Sequence, residues 1–391
     1  MKTILPILFL IASWPTLSQA QLSQREIREI RLSGTGYALG LQHGQLLKKE
    51  IGELVIRMKK NTADNLKKDA DQVIKDFMTY AQFTEDIKKY TPDLYEEVRG
   101  IAHGSGQAFH DIMLFNLLDE FWVYIDAVSH HHCSGLGVPS VNGSTAYIAQ
   151  NMDIESYTDG YQMLIRLART EKSPEQFIIT HPGAIGFTGM NEAGIGACMN
   201  TIMQLKSAPK GLPVAFIVRR ILNSTDKNDL LHFIQTVPHA SGQNYLLGIQ
   251  GEVYDFEASA NKVIRFDPKN ANGTVYHTNH PIVNDDIKEW AKRFDPTLTT
   301  KPVNSNTYIR LAAVQNRVMA NPAVNDILIK ETLRSKDDKE NPVCRAPKNG
   351  GFTFASVIMT LTGMPYLQVT AGPPDESEYK RIDFTQLRKP D

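Results

Sequence analysis

The texture of the chain changes at Cys133, and that change limits what it can fold into. Before Cys133, apolar residues recur at helical spacing, as in Ile51, Leu54, Val55 and Met58 and then Ile74, Phe77 and Tyr80. A helix is expected to open at Gly34-Thr35-Gly36 and run to about Lys60, and another from Asp93 to Ala102 behind Pro92, closed by Gly104-Ser105-Gly106. A further helical run spans Phe109 to Phe121, and a first strand is expected within Gln21 to Leu32. After Cys133 come short strand-like runs: Tyr147 to Ala149, Gln162 to Leu167, Gln176 to Thr180, Ile195 to Met199, Tyr245 to Ile249, Val253 to Phe256 and Lys262 to Phe266. Turn signals such as Asn142-Gly143, Pro182-Gly183 and Gln250-Gly251 separate them. Helical patterns at Val214 to Asn223, Lys227 to Thr236 and Thr307 to Met319 interrupt the strands, which predicts a layered α+β body. The glycines around Gly40 do not have the spacing of a dinucleotide-binding turn; they suit tight turns and close helix approach instead.

The first residues, Met1-Lys2, an apolar run from Ile4 to Trp14, and then Ser18-Gln19-Ala20, read as a secretory signal peptide cut after Ala20. No later run is long enough for a membrane span, so an exported protein, periplasmic or secreted, is expected. Lys and Arg total 42 against Asp and Glu 43, so no global charge favours nucleic acid or an anionic surface. The cysteines are Cys133, Cys198 and Cys344, too few for a disulfide scaffold. Cys198 sits in an apolar run and suits core packing, and a bridge from it to Cys344 would leave Cys133 alone.

Cys133 follows His130-His131-His132 and precedes the strand-like run that ends at Asp153. Consecutive histidines diverge and make a poor metal site, so neither metal nor cofactor is expected. A Cys/His enzyme would draw its base from far away, with His277 and His280 as candidates. If instead the His132-Cys133 bond is cut, Cys133 gains a free α-amine, whose ordinary pKa of about 7.7–8.0 makes it a usable base beside its own thiol. Asp153 could then accept from the amine, Asn244 donate to an oxyanion and Arg310 compensate charge. Each has a plainer reading: Asp153 as a turn cap, Asn244 as a backbone partner at a strand start, Arg310 as a surface cation on a helix. His43 fits packing better than chemistry, and Asn279 with His280 either lines a pocket or forms the turn before Pro281.

Taken in order, several short patterns resemble one family. They are Gly40 to Gly44, Glu97 to Gly106, Cys133-Ser134, Gln150-Asn151-Met152-Asp153, Gly189-Met190-Asn191-Glu192-Ala193-Gly194 and Gly211-Leu212-Pro213 ahead of Arg219 and Arg220. Asn244-Tyr245-Leu246-Leu247 with Gly251 and Glu257, Thr278-Asn279-His280, Arg310 and Gly372-Pro373-Pro374 continue the set. The chain resembles the isopenicillin N acyltransferase-like (acyl-coenzyme A:6-aminopenicillanic acid acyltransferase) family of autoproteolytic N-terminal-nucleophile cysteine hydrolases, with bile-salt and penicillin V hydrolases as more distant relatives. The resemblance implies a four-layer αββα sandwich. After the expected signal peptide at 1–20, it implies a helical segment at 21–132 that becomes a short chain after self-cleavage and a catalytic long chain at 133–391, the two cleaved chains staying associated. Cys133 would be nucleophile and base, Asp153 the orienting acid, Asn244 an oxyanion donor and Arg310 a site cation. The activity implied is cleavage or transfer of an acyl group at a non-peptidic amide of a small N-acyl substrate, through a thioester. Hydrolysis is favoured over transfer, because an exported enzyme meets water freely. Two departures stand out: His132 precedes the nucleophile where the penicillin enzyme has glycine, and Ala149-Gln150 stand where the bile-salt relatives carry an arginine. An uncleaved binding protein of the same fold and an uncleaved Cys/His hydrolase are the alternative readings.

Overall fold

The computed structural model describes residues 25–125, 132–268, 270, 272–294, 306–321, 323–347 and 350–385. The expected signal peptide, together with His130 and His131, lies outside them. The chain begins with β1 (Arg28–Leu32) and then α1 (Gly36–Leu46), α2 (Lys48–Leu66), α3 (Ala70–Tyr80), α4 (Thr84–Tyr90), α5 (Pro92–Ser105), α6 (Phe109–Phe115) and α7 (Leu118–Tyr124). Next come β2 (Ser134–Val138), β3 (Tyr147–Glu155), β4 (Met163–Leu167), β5 (Gln176–Thr180), β6 (Thr188–Asn191), β7 (Ile195–Thr201), α8 (Val214–Leu222) and α9 (Lys227–Thr236). The remainder is β8 (Gln243–Ile249), β9 (Glu252–Ala258), β10 (Val263–Arg265), β11 (Val275–His277), α10 (Asn306–Met319), α11 (Asp326–Leu333), β12 (Gly351–Thr360), β13 (Tyr366–Val369) and β14 (Lys380–Asp383).

These strands make two sheets, an eight-stranded one ordered β1-β4-β5-β6-β7-β8-β9-β10 and a six-stranded one ordered β11-β2-β3-β12-β13-β14. β1 runs parallel to β4, and the other named pairings are antiparallel. The sheets face each other through β2 and β3 of one and β7, β8 and β9 of the other; α8 covers β6 and β7, while α10 and α11 cover the outer side of the six-stranded sheet. This is a four-layer αββα sandwich. Missing side chains set the spacing of the inner faces: a Cβ on Gly137 would meet Leu246 of the facing sheet at 3.1 Å, and one on Gly196 would meet Met359 at 2.8 Å. One large apolar cluster runs from Ile27 through the α2, α6 and α7 side chains to Ile382, so the helical first third shares its core with the larger sheet.

The expected long first helix is two helices. Leu47 interrupts it at φ −117° and ψ 24°, fully buried, so an apolar residue that continues the helical period nonetheless sits at a corner. α1 turns there because it is committed to α5. A Cβ on Gly40 would lie 1.8 Å from the Glu97 carbonyl oxygen, and one on Gly100 would lie 2.2 Å from that of Tyr37. Backbone therefore touches backbone where the pair crosses. The run expected from Phe109 to Phe121 also divides, because the Asn116 amide donates to Ile112 O at 2.8 Å and accepts from Ile185 N at 2.7 Å. α5 is tied to α8 by a buried pair, Arg219 Nη1 to Glu97 Oε1 at 2.8 Å.

Candidate active site

The nucleophile candidate lies where the chain, after α7, enters β2. β2 pairs antiparallel with β3, Ser134 opposite Asn151, and this brings Cys133 against the end of β3 that carries Asp153. Cys133 is 6% exposed, and its Sγ is 3.8 Å from the Asp153 carbonyl oxygen. Burial first, and then the negative charge of Asp153, push the thiol up to about 12, so in the uncut chain it is held neutral near pH 7.

Arg310 projects from α10 into this corner. It is fully buried, against its reading as a surface cation, because the α10 face that carries it packs onto β2 and β11. Its guanidinium Nη1 donates to Cys133 O at 2.6 Å and to Ser134 Oγ at 2.9 Å, Nη2 to Asn279 Oδ1 at 3.0 Å, and Nε to Asn306 Oδ1 at 2.6 Å. Burial lowers it to about 10, which leaves it a cation at neutral pH. A planar fork meets these acceptors at once, which a lysine could not do.

Asp153 is not a turn cap. It stands inside β3, opposite Thr353 of β12, with no exposure. Neither carboxylate oxygen has a well-formed hydrogen bond to the described residues, and the cation beside it is Arg345, whose Nη1 is 3.9 Å from Oδ2. Burial raises the acid from 3.8 to about 6, while Arg345, then Arg310 and the neighbouring Thr353 hydroxyl act to lower it. The result is a carboxyl group close to half-ionised at mildly acidic pH, beside the backbone of the nucleophile.

Asn244 enters from the facing sheet. Its Oδ1 accepts from Asn200 Nδ2 at 2.8 Å, and its Nδ2 donates to Asp255 Oδ1. Asn200 in turn lies beside β2: its Nδ2 would be 3.6 Å from a Cβ on Gly135. The structure therefore joins Cys133 to Asp153 and to Arg310 through direct contacts, while the bonds of Asn244 run to Asn200 and Asp255, and Asn200 lies beside Gly135 of β2.

The two histidines are engaged elsewhere. His277 donates from Nε2 to Glu257 Oε1, 2.8 Å away, and from Nδ1 to Thr278 O, while His280 bonds Thr307 Oγ1 at 2.8 Å and stacks on Tyr308. Neither has a hydrogen bond to Cys133, so the Cys/His arrangement is not what this structure builds. His43 packs in α1, accepting from Gly183 N at 3.1 Å. The bridge from Cys198 to Cys344 is absent, and all three cysteines are free and buried. Cys198 accepts from Thr188 Oγ1, and Cys344 donates to Asp375 Oδ1 at 2.8 Å. Among the described residues no group of His, Cys, Asp and Glu side chains converges as metal ligands, and no helix is long and apolar enough to cross a membrane. Spacing alone could not find Arg345, Asn306, Asn200 or Asp255, which reach the site from separate elements.

A family model described as acyl-coenzyme A:6-aminopenicillanic acid acyl-transferase matches residues 140–364. The chain belongs to that family. It is on that ground an enzyme of the acyl-transferase kind. Asp153, Asn244 and Arg310 fall inside the matched stretch and Cys133 just before it. The chain is similar to the 40 kDa form of acyl-coenzyme A:6-aminopenicillanic-acid-acyltransferase of Emericella nidulans, 26% identical over 265 residues, covering 65% of this chain and 70% of that one. Among solved structures it is similar to a mutant form of the conjugated bile acid hydrolase from Clostridium perfringens, with TM-score 0.42, 14% identity, and 64% of this chain and 92% of that one covered. Penicillin V acylase from Agrobacterium tumefaciens gives TM-score 0.41 and 13% identity, over 65% of this chain and 87% of that one.

Proposed function

We propose that this protein is an exported cysteine amidase or acyltransferase, activated by self-cleavage of the His132-Cys133 bond and acting on a small molecule with a non-peptidic amide. The observation that carries the reading is the corner where Arg310 clamps the Cys133 carbonyl at 2.6 Å and the thiol lies against the Asp153 backbone, in a chain of this family. On this reading the cut frees the Cys133 amine beside Asp153, whose carboxylate oxygens are available to accept from it. The thiol gives its proton to the amine and attacks the substrate carbonyl carbon, and the electron pair of the C=O bond moves onto its oxygen. Asn244 keeps one N–H unassigned after its bond to Asp255, and that N–H would hold the oxyanion. Collapse breaks the C–N bond, the leaving amine takes the proton from the α-ammonium, and a thioester remains on Cys133. Water, giving a proton to the α-amine, then attacks the thioester carbonyl; the C–S bond breaks, the acyl group leaves as its acid and the proton returns to the sulfur, and an amine acceptor in place of water would make the reaction a transfer. Arg310 fixes the strand that carries the nucleophile and supplies positive charge.

The deciding experiment is the intact mass and N-terminal sequence of the purified protein. Two fragments are expected, one starting at Cys133, and a Cys133→Ala chain that stays whole and cleaves no p-nitroanilide of a short acyl acid. A wild-type chain that remains in one piece removes the α-amine from the mechanism, and a Cys133→Ala variant with full turnover removes the nucleophile.

A further inference from the structure

Four fully buried polar side chains form a directed chain across the sandwich, from β3 through β7 and β8 to β9. Gln150 Nε2 donates to Asn200 Oδ1 at 3.0 Å, Asn200 Nδ2 donates to Asn244 Oδ1 at 2.8 Å, and Asn244 Nδ2 donates to Asp255 Oδ1. An amide can present either its oxygen or its nitrogen, but an ionised carboxylate can only accept. Asp255 therefore dictates the rest: Asn244 must show it Nδ2, which turns Oδ1 to Asn200, which must show its own Nδ2, which turns its Oδ1 to Gln150. The other end is pinned the same way, because Gln150 Nε2 also donates to the Met199 carbonyl, another obligate acceptor. The chain reads in one direction from both ends.

Burial raises Asp255 from 3.8 to about 7, while the positive charge of His277 and the Asn244 hydrogen bond act to lower it and Glu257 to raise it, so near neutral pH the acid is shared between its two forms and it is the oxygen facing Asn244 Nδ2 that accepts. Among the described residues Asp255 keeps its second oxygen without a partner, as does Gln150 at Oε1, so the chain ends on these two groups instead of dissolving into a wider network.

We propose that Asp255 is a positioning residue for the chemistry at Cys133, holding the Asn244 amide in the one orientation that leaves an N–H facing the oxyanion. This rests on the reading of Asn244 as the oxyanion donor. Reversing the amide about its last torsion would exchange N–H for C=O and put a lone pair where the developing negative charge sits. Asp255 itself touches neither substrate nor nucleophile.

The test compares Asp255→Asn, Asn244→Ala, their double mutant, and the exchange Asn200→Asp with Asp255→Asn, all assayed with p-nitroanilides of short acyl acids. The exchange keeps the site's atoms and charge: a carboxylate at 200 accepts from Gln150 and from a reversed Asn244, whose Oδ1 accepts from the amide at 255. Every hydrogen bond is conserved, so the fold should survive, but the direction at Asn244 is inverted. Asn244→Ala is expected to lower kcat by about 10²-fold or more, as loss of an oxyanion donor does. The exchange should lower kcat at least tenfold with KM within about threefold; Asp255→Asn alone, whose amide can turn its oxygen to Asn244 while the Met199 end still fixes the direction, should lose less than the exchange, and the double mutant should be no slower than Asn244→Ala alone. An exchange variant with wild-type kcat overturns the proposal, as does an Asp255→Asn loss that multiplies with that of Asn244→Ala or appears only in KM. If Asn244→Ala itself is fully active, the oxyanion role of Asn244 falls and this inference with it, while the nucleophile reading stands or falls separately on Cys133→Ala.

Discussion

Replacing Asp153 by asparagine in a Cys133→Ala chain should stabilise the protein at neutral pH and not at acidic pH. Asp153 is fully buried without well-formed hydrogen bonds to its oxygens, and burial raises it from 3.8 to about 6. The sign follows from proton binding. Between these values the folded chain keeps a proton that the unfolded chain has lost, so stability falls as pH rises through that window. Below 3.8 the group is neutral in both states and costs nothing; above 6 it is ionised in both and the full cost applies. A rise from 3.8 to about 6 corresponds to about 3 kcal/mol, at about 1.4 kcal/mol per pH unit. Under the proposed self-cleavage the Cys133→Ala background keeps the chain whole, so unfolding stays unimolecular, and Cys133 is not among the groups that shift Asp153. Urea unfolding of Cys133→Ala and of Cys133→Ala with Asp153→Asn, followed by tryptophan fluorescence at half-unit steps from pH 4 to 8, gives the difference directly. Other raised acids, Glu120 and Asp255, titrate in both chains and cancel. The gap should open by about 2.4 kcal/mol between pH 4 and 7. A gap constant to within about 0.5 kcal/mol would mean that Arg345 and Arg310 fully offset burial, and the account of Asp153 as a costly buried acid would be wrong.

Three further outcomes are expected. Arg345→Met removes a cation 3.9 Å from Asp153, so the proton affinity of that acid should rise and the acidic limb of the pH–kcat profile move to higher pH; an unmoved limb would show that Arg345 does not act on Asp153. Arg310→Lys should cost about 3–5 kcal/mol in urea unfolding and at least about tenfold in kcat, since one ammonium cannot serve Cys133 O, Ser134 Oγ, Asn279 and Asn306 together; wild-type stability would refute the clamp. Gly40→Ala should destabilise by about 3 kcal/mol because its Cβ would sit 1.8 Å from Glu97 O, and an unchanged melting temperature would mean that the helices are not in backbone contact.

The α-then-β order, the helices of the first third and most strands of the larger sheet are legible in the sequence because each element there carries its own local signal. The strand Gly351–Thr360 is not, since it lies between β3 and β13 and is buried along its whole length, which erases the alternation a half-exposed strand would show. The break at Leu47 is hidden for a related reason: a buried corner can be made by an apolar residue that fits the helical period. At the site, Cys133, Asp153, Asn244 and Arg310 are reachable through ordered motifs that resemble a family, and Arg310 lies on a helix whose period is visible. Arg345 follows Cys344 in an irregular stretch with no periodicity, and it reaches Asp153 only because Asn151 holds that stretch by donating to Leu333 O at 2.7 Å and Val343 O at 3.0 Å. Asp255 looks like one polar residue in a strand until β8 pairs with β9 and turns it toward Asn244.

The charges gathered at Cys133 explain why an uncut chain would be a poor enzyme. The thiol is raised to about 12, with burial, Asp153 and Asp119 all acting against the thiolate, and Arg310 is the cation acting for it. That cation is already committed geometrically, because its Nη1 is directed at the Cys133 carbonyl and the Ser134 hydroxyl rather than at the sulfur. What the corner lacks is a positive charge, or a base that becomes one, on the nucleophile's own backbone. A free α-amine at Cys133 would supply both: neutral, it takes the thiol proton; protonated, it offsets Asp153 and steadies the thiolate. Under the proposed cleavage the same event that severs the chain also corrects the electrostatics of its active site, so silence before the cut and reactivity after it need no movement of the sheets.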